Sequence, residues 1–288
     1  MTMPDVLYIN GRFTTTAERV LGVEDRGFLF GDAVYEVFKF LGRKPAFMRG
    51  HWKRLVQGLE AIEIHNPWDE ASFKAMVREL LARTAFEDGI VYVQVSRGEG
   101  ERAQFYPDDM TPTAVAYSRR FTFPDAAKKD SGIRVITTRD RRWRHCDVKS
   151  VNLLANALAK KEAQRAGVDE ALLIDDGIVR EGASANFFAV HNGRISTHPL
   201  DEHMLPGVTR DHTIALAREA GIPLDERAFS RDDLLAMDEA FITSTTMGVM
   251  PVVEIDGRAI GRGRGPVTTR LQALFDAAEE NEIRSVRV

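Results

Sequence analysis

The chain has 288 residues, of which 44% are hydrophobic and 28% charged, with a formal net charge of -4. This composition is typical of a soluble globular protein with one large or two modest domains, and the negative charge argues against general nucleic-acid binding, which requires surplus lysine and arginine. The single cysteine cannot form an intrachain disulfide. Because neither a signal-like N-terminus nor a long apolar run is found, we expect a cytoplasmic protein with no membrane span.

The first part of the chain predicts an α+β domain. Residues Leu7 to Asn10 are strand-like, and residues 34–48 predict a hairpin that turns at LGRKP. Two helices follow, because apolar residues recur at helical spacing from Trp52 and again after Asp69, a typical N-cap. The remaining strands of this sheet are predicted at residues 90–96 and 113–118.

A polar segment bordered by proline and glycine, residues 123–132, predicts a linker. It separates a small α/β domain, residues 1–122, from a larger domain, residues 133–288. The larger domain begins with the strand-like run IRVITT and contains Asp176-Gly177 and Asn192-Gly193, pairs typical of tight hairpins. Its later helices are predicted from about Thr209 to Gly221 and at residues 266–280.

Lys149 stands directly before an apolar series with helical spacing. This series is Val151, Leu154, Ala155, Leu158 and Ala159. Ser150 is a natural N-cap, so we expect Lys149 at the positive end of a helix, where a half-buried amine is pushed toward the neutral, nucleophilic form. The alternative is a surface lysine whose charged head reaches water.

A cofactor with an aldehyde, a phosphate and a pyridine ring requires an anion site and a carboxylate besides a lysine. The runs GASANFF, residues 182–188, and LPGVTRD, residues 205–211, place small or hydroxyl residues where backbone N–H groups are accessible. Glu181 ends the strand-like run IVRE and can supply the carboxylate. Each feature alone also occurs in ordinary turns, whereas their order along the chain favours such a cofactor.

The chain resembles the fold-type IV pyridoxal-phosphate transaminases, most of all the D-amino acid transaminases. The segments that carry the resemblance are EDRGFLFGDAVYEVFKF, HWKRL, KSVNLLANALAKKEA, VREGASANFFAV, LPGVTRD and FITSTTMGVMPVVEIDG. The resemblance covers nearly the whole chain. It implies a two-domain α+β fold with a small α/β N-terminal domain and a β-barrel-like C-terminal domain that is flanked by helices.

The resemblance also implies the site residues and a ping-pong transfer of an amino group to a 2-oxo acid. Lys149 corresponds to the Schiff-base lysine, which also moves the substrate proton, and Glu181 to the partner of the pyridine nitrogen. The other implied contacts to pyridoxal 5′-phosphate are Arg54, Ser184, Ala185, Asn186, Val208, Thr209 and Thr245. The implied substrate contacts are Tyr35, Lys39, Arg102, Gln104 and Thr246. Arg102 is expected to reach the site of the partner subunit in a homodimer, and no metal is expected.

Three positions depart from the family pattern. Gln104 stands where D-amino acid transaminases carry histidine, Ala185 where a second hydroxyl is frequent, and Gly248 where glutamate is usual. Because glutamine adds no charge, we expect weaker carboxylate recognition, which would permit a side activity on (R)-primary amines. A branched-chain L-amino acid transaminase and an aminodeoxychorismate lyase are the alternatives within the family. The runs GRGRGP and RGEG leave a nucleotide-binding module as an alternative from another class, but neither shows the order of strand, G-x-G-x-x-G and helix that such a module has.

Overall fold

The structure is a computed structural model that describes residues 6–15, 21–261 and 263–285, without the side chain of Leu235. The chain forms two compact units. The first unit contains the described residues up to Thr122, the short segment Val148–Asn152 and the end of the last helix from Asn281. The second contains Phe123–Asp147 and Leu153–Glu280.

The first unit is built on an antiparallel sheet with two longer helices. Its elements are β1 (Leu7–Ile9), β2 (Arg12–Thr14), α1 (Arg26–Phe30), β3 (Ala33–Leu41), β4 (Lys44–Pro45), α2 (Met48–Ala61), α3 (Glu70–Arg83), β5 (Gly89–Ser96) and β6 (Thr113–Arg120). The strand order is β2-β1-β6-β5-β3-β4. The predicted strands, the hairpin and both helices of this part are therefore confirmed.

One face of this sheet forms the core of the first unit. Along β3, alternate residues from Val34 to Phe40 are buried, and Val91, Val93 and Val95 of β5 are buried on the same core. Helix α3 begins at a capping box in which Asp69 and Ser72 bond each other's backbone N–H groups. The helix turns its buried residues toward this core. The opposite face of β3 carries the half-buried Tyr35 and Lys39.

The second unit has a nine-stranded sheet with helices against it. Its elements are α4 (Ala126–Ser131), β7 (Ile133–Arg139), α5 (Leu154–Arg165), β8 (Glu170–Asp175), β9 (Ile178–Gly182), β10 (Asn186–His191), β11 (Arg194–Thr197), α6 (Val208–Glu219), β12 (Leu224–Glu226), a 3-10 helix (Asp232–Ala236), β13 (Glu239–Ser244), β14 (Gly248–Ile255), β15 (Arg258–Ala259) and α7 (Pro266–Ser285). Segment 123–132, expected as a linker, contains α4 and belongs to this unit.

The large sheet curls back on itself. Its order is β12-β11-β10-β13-β14-β7-β8-β9, with β15 paired to β14. Four strands separate β9 from β10 in this order, yet only residues 183–185 connect them along the chain. A connection that short requires the end of the sheet to approach β10 again, as in a barrel. The predicted two-domain α+β class with a barrel-like second part is confirmed.

Both predicted tight hairpins of the second unit are present. Asp176 and Gly177 have φ of 46° and 77°, and Asn192 and Gly193 have φ of 49° and 73°. Two consecutive left-handed residues are what a two-residue hairpin loop of this type requires. The predicted helices that follow are also present, as α6 and α7.

The helix predicted after Lys149 is wrong in its start and in its buried face. Helix α5 begins at Leu154, and Leu154 and Leu158 are 74% and 49% exposed, whereas Ala159 and Ala163 are buried. Ser150 does not cap the helix. It forms a β-bridge with Val34 of β3, so extended pairing replaces the first predicted turn.

No described helix is both long and apolar enough to cross a membrane.

Candidate active site

Lys149 was expected in the larger domain, residues 133–288, but it belongs to the first unit, where the backbone of β3 holds it. The N–H of Tyr35 donates to the carbonyl oxygen of Lys149 at 3.0 Å, and the N–H of Val151 donates to that of Ala33 at 3.1 Å. The ammonium of Lys149 lies 3.3 Å from the Tyr35 hydroxyl and 4.3 Å from the centre of its ring. Since α5 starts five residues later, the helix-end effect expected for Lys149 does not apply. The lysine is half-buried against an aromatic ring instead.

A buried charge cluster lies behind Lys149 in the same unit. Arg54 of α2 donates hydrogen bonds to both carboxylate oxygens of Glu36 in β3, at 2.6 and 3.0 Å. His51 also donates to Glu36, at 2.8 Å. Burial alone would raise the pKa of Glu36, but the Arg54 and His51 charges and hydrogen bonds lower it to about 2. Burial lowers the pKa of His51, and the Lys149 charge acts in the same direction. Arg54 is thus fixed in orientation by an ionised carboxylate.

The predicted substrate residues of the first unit lie in two places. Tyr35 and Lys39 share one face of β3, and Tyr35 stacks on Tyr92 of β5 with ring centres 5.6 Å apart. Arg102 and Gln104 lie in the loop between β5 and β6, and both are exposed. The guanidinium of Arg102 is 5.6 Å from the ring centre of Phe30.

In the second unit Glu181 is the centre of a buried polar network. Arg142 donates to it at 2.5 Å, the amide of Asn186 at 2.8 Å and the N–H of Leu205 at 3.2 Å. Arg142 also bonds Asp140, which fixes its guanidinium between two carboxylates. Burial raises the pKa of Glu181, and the charge and hydrogen bond of Arg142 lower it, as does the bond from Leu205.

The predicted phosphate residues of the second unit lie on three elements. Ser184 follows β9, and its hydroxyl donates to the buried Glu170 at 2.6 Å. Val208 and Thr209 occupy the first turn of α6, which has no side-chain cap at Gly207. Thr245 and Thr246 form the turn between β13 and β14. An uncapped helix start leaves backbone N–H groups available for an anion.

Glycine at 207 is required by the network around Glu181. A Cβ atom at Gly207 would lie 1.9 Å from the amide oxygen of Asn186, the side chain that binds both Glu181 and the carbonyl oxygen of Leu205. Glycine at 248, where the family usually has glutamate, is explained by backbone conformation instead. Its φ of 61° is left-handed, a conformation that a glutamate at this position would adopt only with strain.

Each unit, taken by itself, has side chains that match groups of pyridoxal 5′-phosphate. Lys149 offers a primary amine for an aldehyde, and Glu181 offers a buried carboxylate for the pyridine nitrogen. Arg54 and the α6 N-terminus offer a guanidinium and N–H groups of the kind that bind phosphate. The donor set therefore fits this cofactor.

Comparison with known proteins decides the family. The model of amino-transferase class IV matches residues 33–255. The chain belongs to this family. It is 40% identical to D-alanine aminotransferase of Bacillus licheniformis, over 92% of this chain and 94% of that protein. It is 35% identical to D-alanine aminotransferase of Staphylococcus haemolyticus, over 94% and 96% of the two chains.

Solved structures agree with the family. The branched-chain amino acid aminotransferase of Escherichia coli has a TM-score of 0.90 and 25% identity, covering 97% of this chain and 96% of that chain. A T.th. branched-chain amino acid aminotransferase with pyridoxamine 5′-phosphate has a TM-score of 0.87 and 27% identity, over 97% and 96% of the two chains. This class IV aminotransferase is therefore an enzyme that depends on pyridoxal 5′-phosphate.

Sequence reasoning missed three charged residues that hold the predicted ones. Glu36 occupies the inward phase of β3, between Val34 and Phe38, and a charge in that phase indicates a buried partner. His51 is buried on α2, one turn before Arg54. Arg142 lies in the run RDRRWRH, two residues after Asp140. This spacing of opposite charges was the available signal that the two side chains form a pair. The neighbouring exposed arginines of that run concealed it.

Proposed function

We propose that this class IV aminotransferase moves the amino group of D-amino acids to 2-oxo acids by a ping-pong mechanism. The observation that carries the proposal is the 40% identity to a D-alanine aminotransferase over 92% of the chain. When bound, pyridoxal 5′-phosphate supplies an aldehyde and a pyridine ring that accepts electrons. The handedness of the substrate has to come from the side chains around it.

Lys149 is the proposed catalytic residue. Its amine would hold the cofactor through the aldehyde, and as the free amine, once the substrate amine has taken its place, it would carry the proton to and from the substrate Cα. The hydroxyl of Tyr35, 3.3 Å from that amine, holds it on one side and supports a directed proton transfer. Glu181 would hold a proton at the pyridine nitrogen, and the charge and hydrogen bond of Arg142 oppose the rise that burial causes in the pKa of Glu181.

The other predicted cofactor residues would hold the phosphate and support the network around Glu181. Arg54, in the orientation that Glu36 fixes, supplies a charged donor, and the α6 N-terminus supplies N–H groups. The further proposed contacts are Ser184, Ala185, Asn186, Val208, Thr209 and Thr245. The hydroxyl of Ser184, bonded to Glu170, has to rotate to reach a phosphate.

Substrate recognition is proposed for residues of the first unit and for Thr246. Arg102 binds the substrate carboxylate, and Gln104 adds a neutral donor beside it. The exposure of both side chains supports the proposal that they complete the site of a partner subunit in a homodimer. Tyr35 and Lys39 line the substrate side. Since Gln104 carries no charge, (R)-primary amines are the proposed side substrates.

A branched-chain L-amino acid transaminase is the second candidate. The observation that favours it is the TM-score of 0.90 to the Escherichia coli branched-chain enzyme. A backbone match of this kind reports the fold, whereas handedness depends on side chains. The higher identity to D-alanine aminotransferases therefore has more weight.

Racemic alanine with 2-oxoglutarate tests the proposal. The expected result is consumption of D-alanine only, with pyruvate and D-glutamate as products on a chiral column. A Lys149→Ala variant should lose the reaction and the visible absorbance of bound cofactor. Consumption of L-leucine with D-alanine untouched would assign the second candidate. Pyruvate release from aminodeoxychorismate without amino transfer would assign the lyase.

A further inference from the structure

Two buried arginines hold the loop that carries Arg102 and Gln104. We call this loop, residues 98–112, the substrate loop. Arg26 of α1 and Arg97 at the end of β5 are only 4% and 6% exposed. They share the carboxylate of Asp32, which accepts from the Nε of Arg26 at 2.9 Å and from the Nε of Arg97 at 2.8 Å. Buried arginines in the loop's base are therefore fixed by an ion pair.

Arg26 is attached to the substrate loop at two points. Its backbone N–H donates to the carbonyl oxygen of Gly98 at 2.8 Å, where the loop begins. Its Nη1 donates to the carbonyl oxygen of Ala103 at 2.7 Å. Ala103 is the residue between Arg102 and Gln104, and its carbonyl oxygen belongs to the peptide that joins it to Gln104, so the bond fixes the backbone directly after Arg102 and directly before Gln104. A charged donor makes this a strong hydrogen bond.

Aromatic rings complete the attachment. The guanidinium of Arg26 lies 4.5 Å from the ring centre of Phe30, and Arg102 lies 5.6 Å from that same centre. Tyr106, further along the loop, has its ring centre 3.7 Å from Arg97 and 5.0 Å from Arg26. The loop is thus held on both sides of Ala103.

Arg97 anchors this assembly to the rest of the first unit. It donates to the carbonyl oxygens of Ile62 and Glu63, at 2.6 and 2.8 Å, directly after α2. Helix α2 carries Arg54. The substrate loop therefore has a rigid base although Arg102 and Gln104 are exposed.

We propose that Arg26 is a positioning residue for substrate carboxylate recognition. It holds the Ala103 peptide in place, so that Arg102 and Gln104 meet the carboxylate without first ordering the loop. Binding then loses less conformational entropy. The inference depends on the proposed function, in which Arg102 binds that carboxylate.

The first test combines half-reaction kinetics with a double-mutant cycle. In holoenzyme mixed with D-alanine alone, Arg26→Met should raise the apparent dissociation constant about tenfold, with the maximal rate within about twofold. In an Arg102→Ala background the same change should have a much smaller effect, through Gln104 alone, because coupled residues are not additive. The control is Arg83→Met, since Arg83 also bonds a carboxylate and lies 4.6 Å from a ring centre, of Phe13, but outside the loop.

A second measurement does not require substrate. Hydrogen exchange of the substrate loop should become faster in Arg26→Met and stay unchanged in Arg83→Met. Tyr106→Leu is the second variant, for the case that Arg26→Met does not fold, because it leaves the ion pair between Arg26 and Asp32 intact. It should raise the dissociation constant and speed up loop exchange in the same direction, but to a smaller extent. Additive effects in the double-mutant cycle, or unchanged hydrogen exchange of the substrate loop in Arg26→Met and in Tyr106→Leu, would overturn the inference. If Arg102→Ala itself leaves D-alanine binding unchanged, the proposed role of Arg102 fails first, and this inference with it.

Discussion

Glu36 shows how a charge can be retained in the core of the first unit. Its carboxylate is 1% exposed, and both oxygens accept from Arg54, while His51 adds a third bond. Such a cluster is stable only while all partners remain. Glu36 therefore fixes the orientation of Arg54, the proposed phosphate ligand.

Glu36→Gln should lower the free energy of unfolding at pH 7 by about 3 kcal/mol, because the charge of Arg54 loses its buried partner. The folded-state pKa of Glu36, about 2, lies below its unfolded value of about 4.3. Its stabilisation is therefore complete above the unfolded pKa and is lost as the pH falls through the folded pKa. Denaturant unfolding from pH 7 to pH 2.5 measures this. A difference between variant and wild type that does not shrink in acid would contradict it, and Glu87→Gln, at an exposed pair with Arg43, is the control.

Arg142→Met should destabilise the protein more at pH 8 than at pH 5. Burial already raises the pKa of Glu181, and loss of Arg142 raises it further. A raised folded pKa gives stability that is present below the unfolded pKa and lost as pH rises through the folded pKa. Unfolding at the two pH values checks this sign, with the exposed Arg141→Met as the matched control. Equal destabilisation at both values would show that Glu181 does not titrate against Arg142.

At the scale of elements, the start of α6 joins the two parts of the proposed cofactor site in the second unit. Gly207 precedes its first turn and packs against Asn186, which binds Glu181. The phosphate site and the carboxylate for the ring nitrogen thus depend on one close backbone approach. A side chain at residue 207 would disturb both.

Gly207→Ala should weaken cofactor binding at least tenfold, because its Cβ would lie 1.9 Å from the amide oxygen of Asn186. Titration of apoenzyme with pyridoxal 5′-phosphate measures the dissociation constant. The control is Gly58→Ala within α2, where the Cβ would have ordinary contact at 3.4 Å with Val34 and alanine favours the helix. Unchanged cofactor affinity in Gly207→Ala would separate Asn186 from the cofactor site.

Periodicity and turn chemistry predicted most elements. The hairpin that turns at LGRKP, the Asp69 cap and the Asp-Gly and Asn-Gly hairpins each follow from local physics, and all are present. The start of α5 was mispredicted because Ser150 pairs with Val34, more than a hundred residues away in the chain. Local spacing carries no information about such a pairing.

The sequence predicted which residues form the candidate site, but it did not predict the buried partners that hold them in place. Lys149 and Glu181 stood out through resemblance and order. The pairs that hold the site residues, Arg142 with Glu181 and Glu36 with Arg54, join elements that only the fold brings together. A charged residue in the buried phase of an apolar strand, as at Glu36, is the sequence signal that indicates such a pair.

At the scale of the whole molecule, the proposed homodimer makes a prediction about complementation. Lys149→Ala and Arg102→Ala homodimers should each have low activity at low D-alanine concentration. A mixed dimer contains one intact site if Arg102 acts on the partner, so random reassortment should restore about a quarter of wild-type activity. Sequential purification through a different affinity tag on each variant verifies that mixed dimers form. No restoration in confirmed mixed dimers would place Arg102 in its own subunit's site.

The central claim is that this class IV aminotransferase accepts the amino group of D-amino acids. The most direct measurement is the absorbance spectrum of the holoenzyme during addition of D-alanine, or L-leucine, with no 2-oxo acid present. We predict that D-alanine abolishes the visible absorbance band within a single turnover, because the cofactor is converted to its amino form. L-leucine should leave the band unchanged. Conversion by L-leucine with no response to D-alanine would contradict the account.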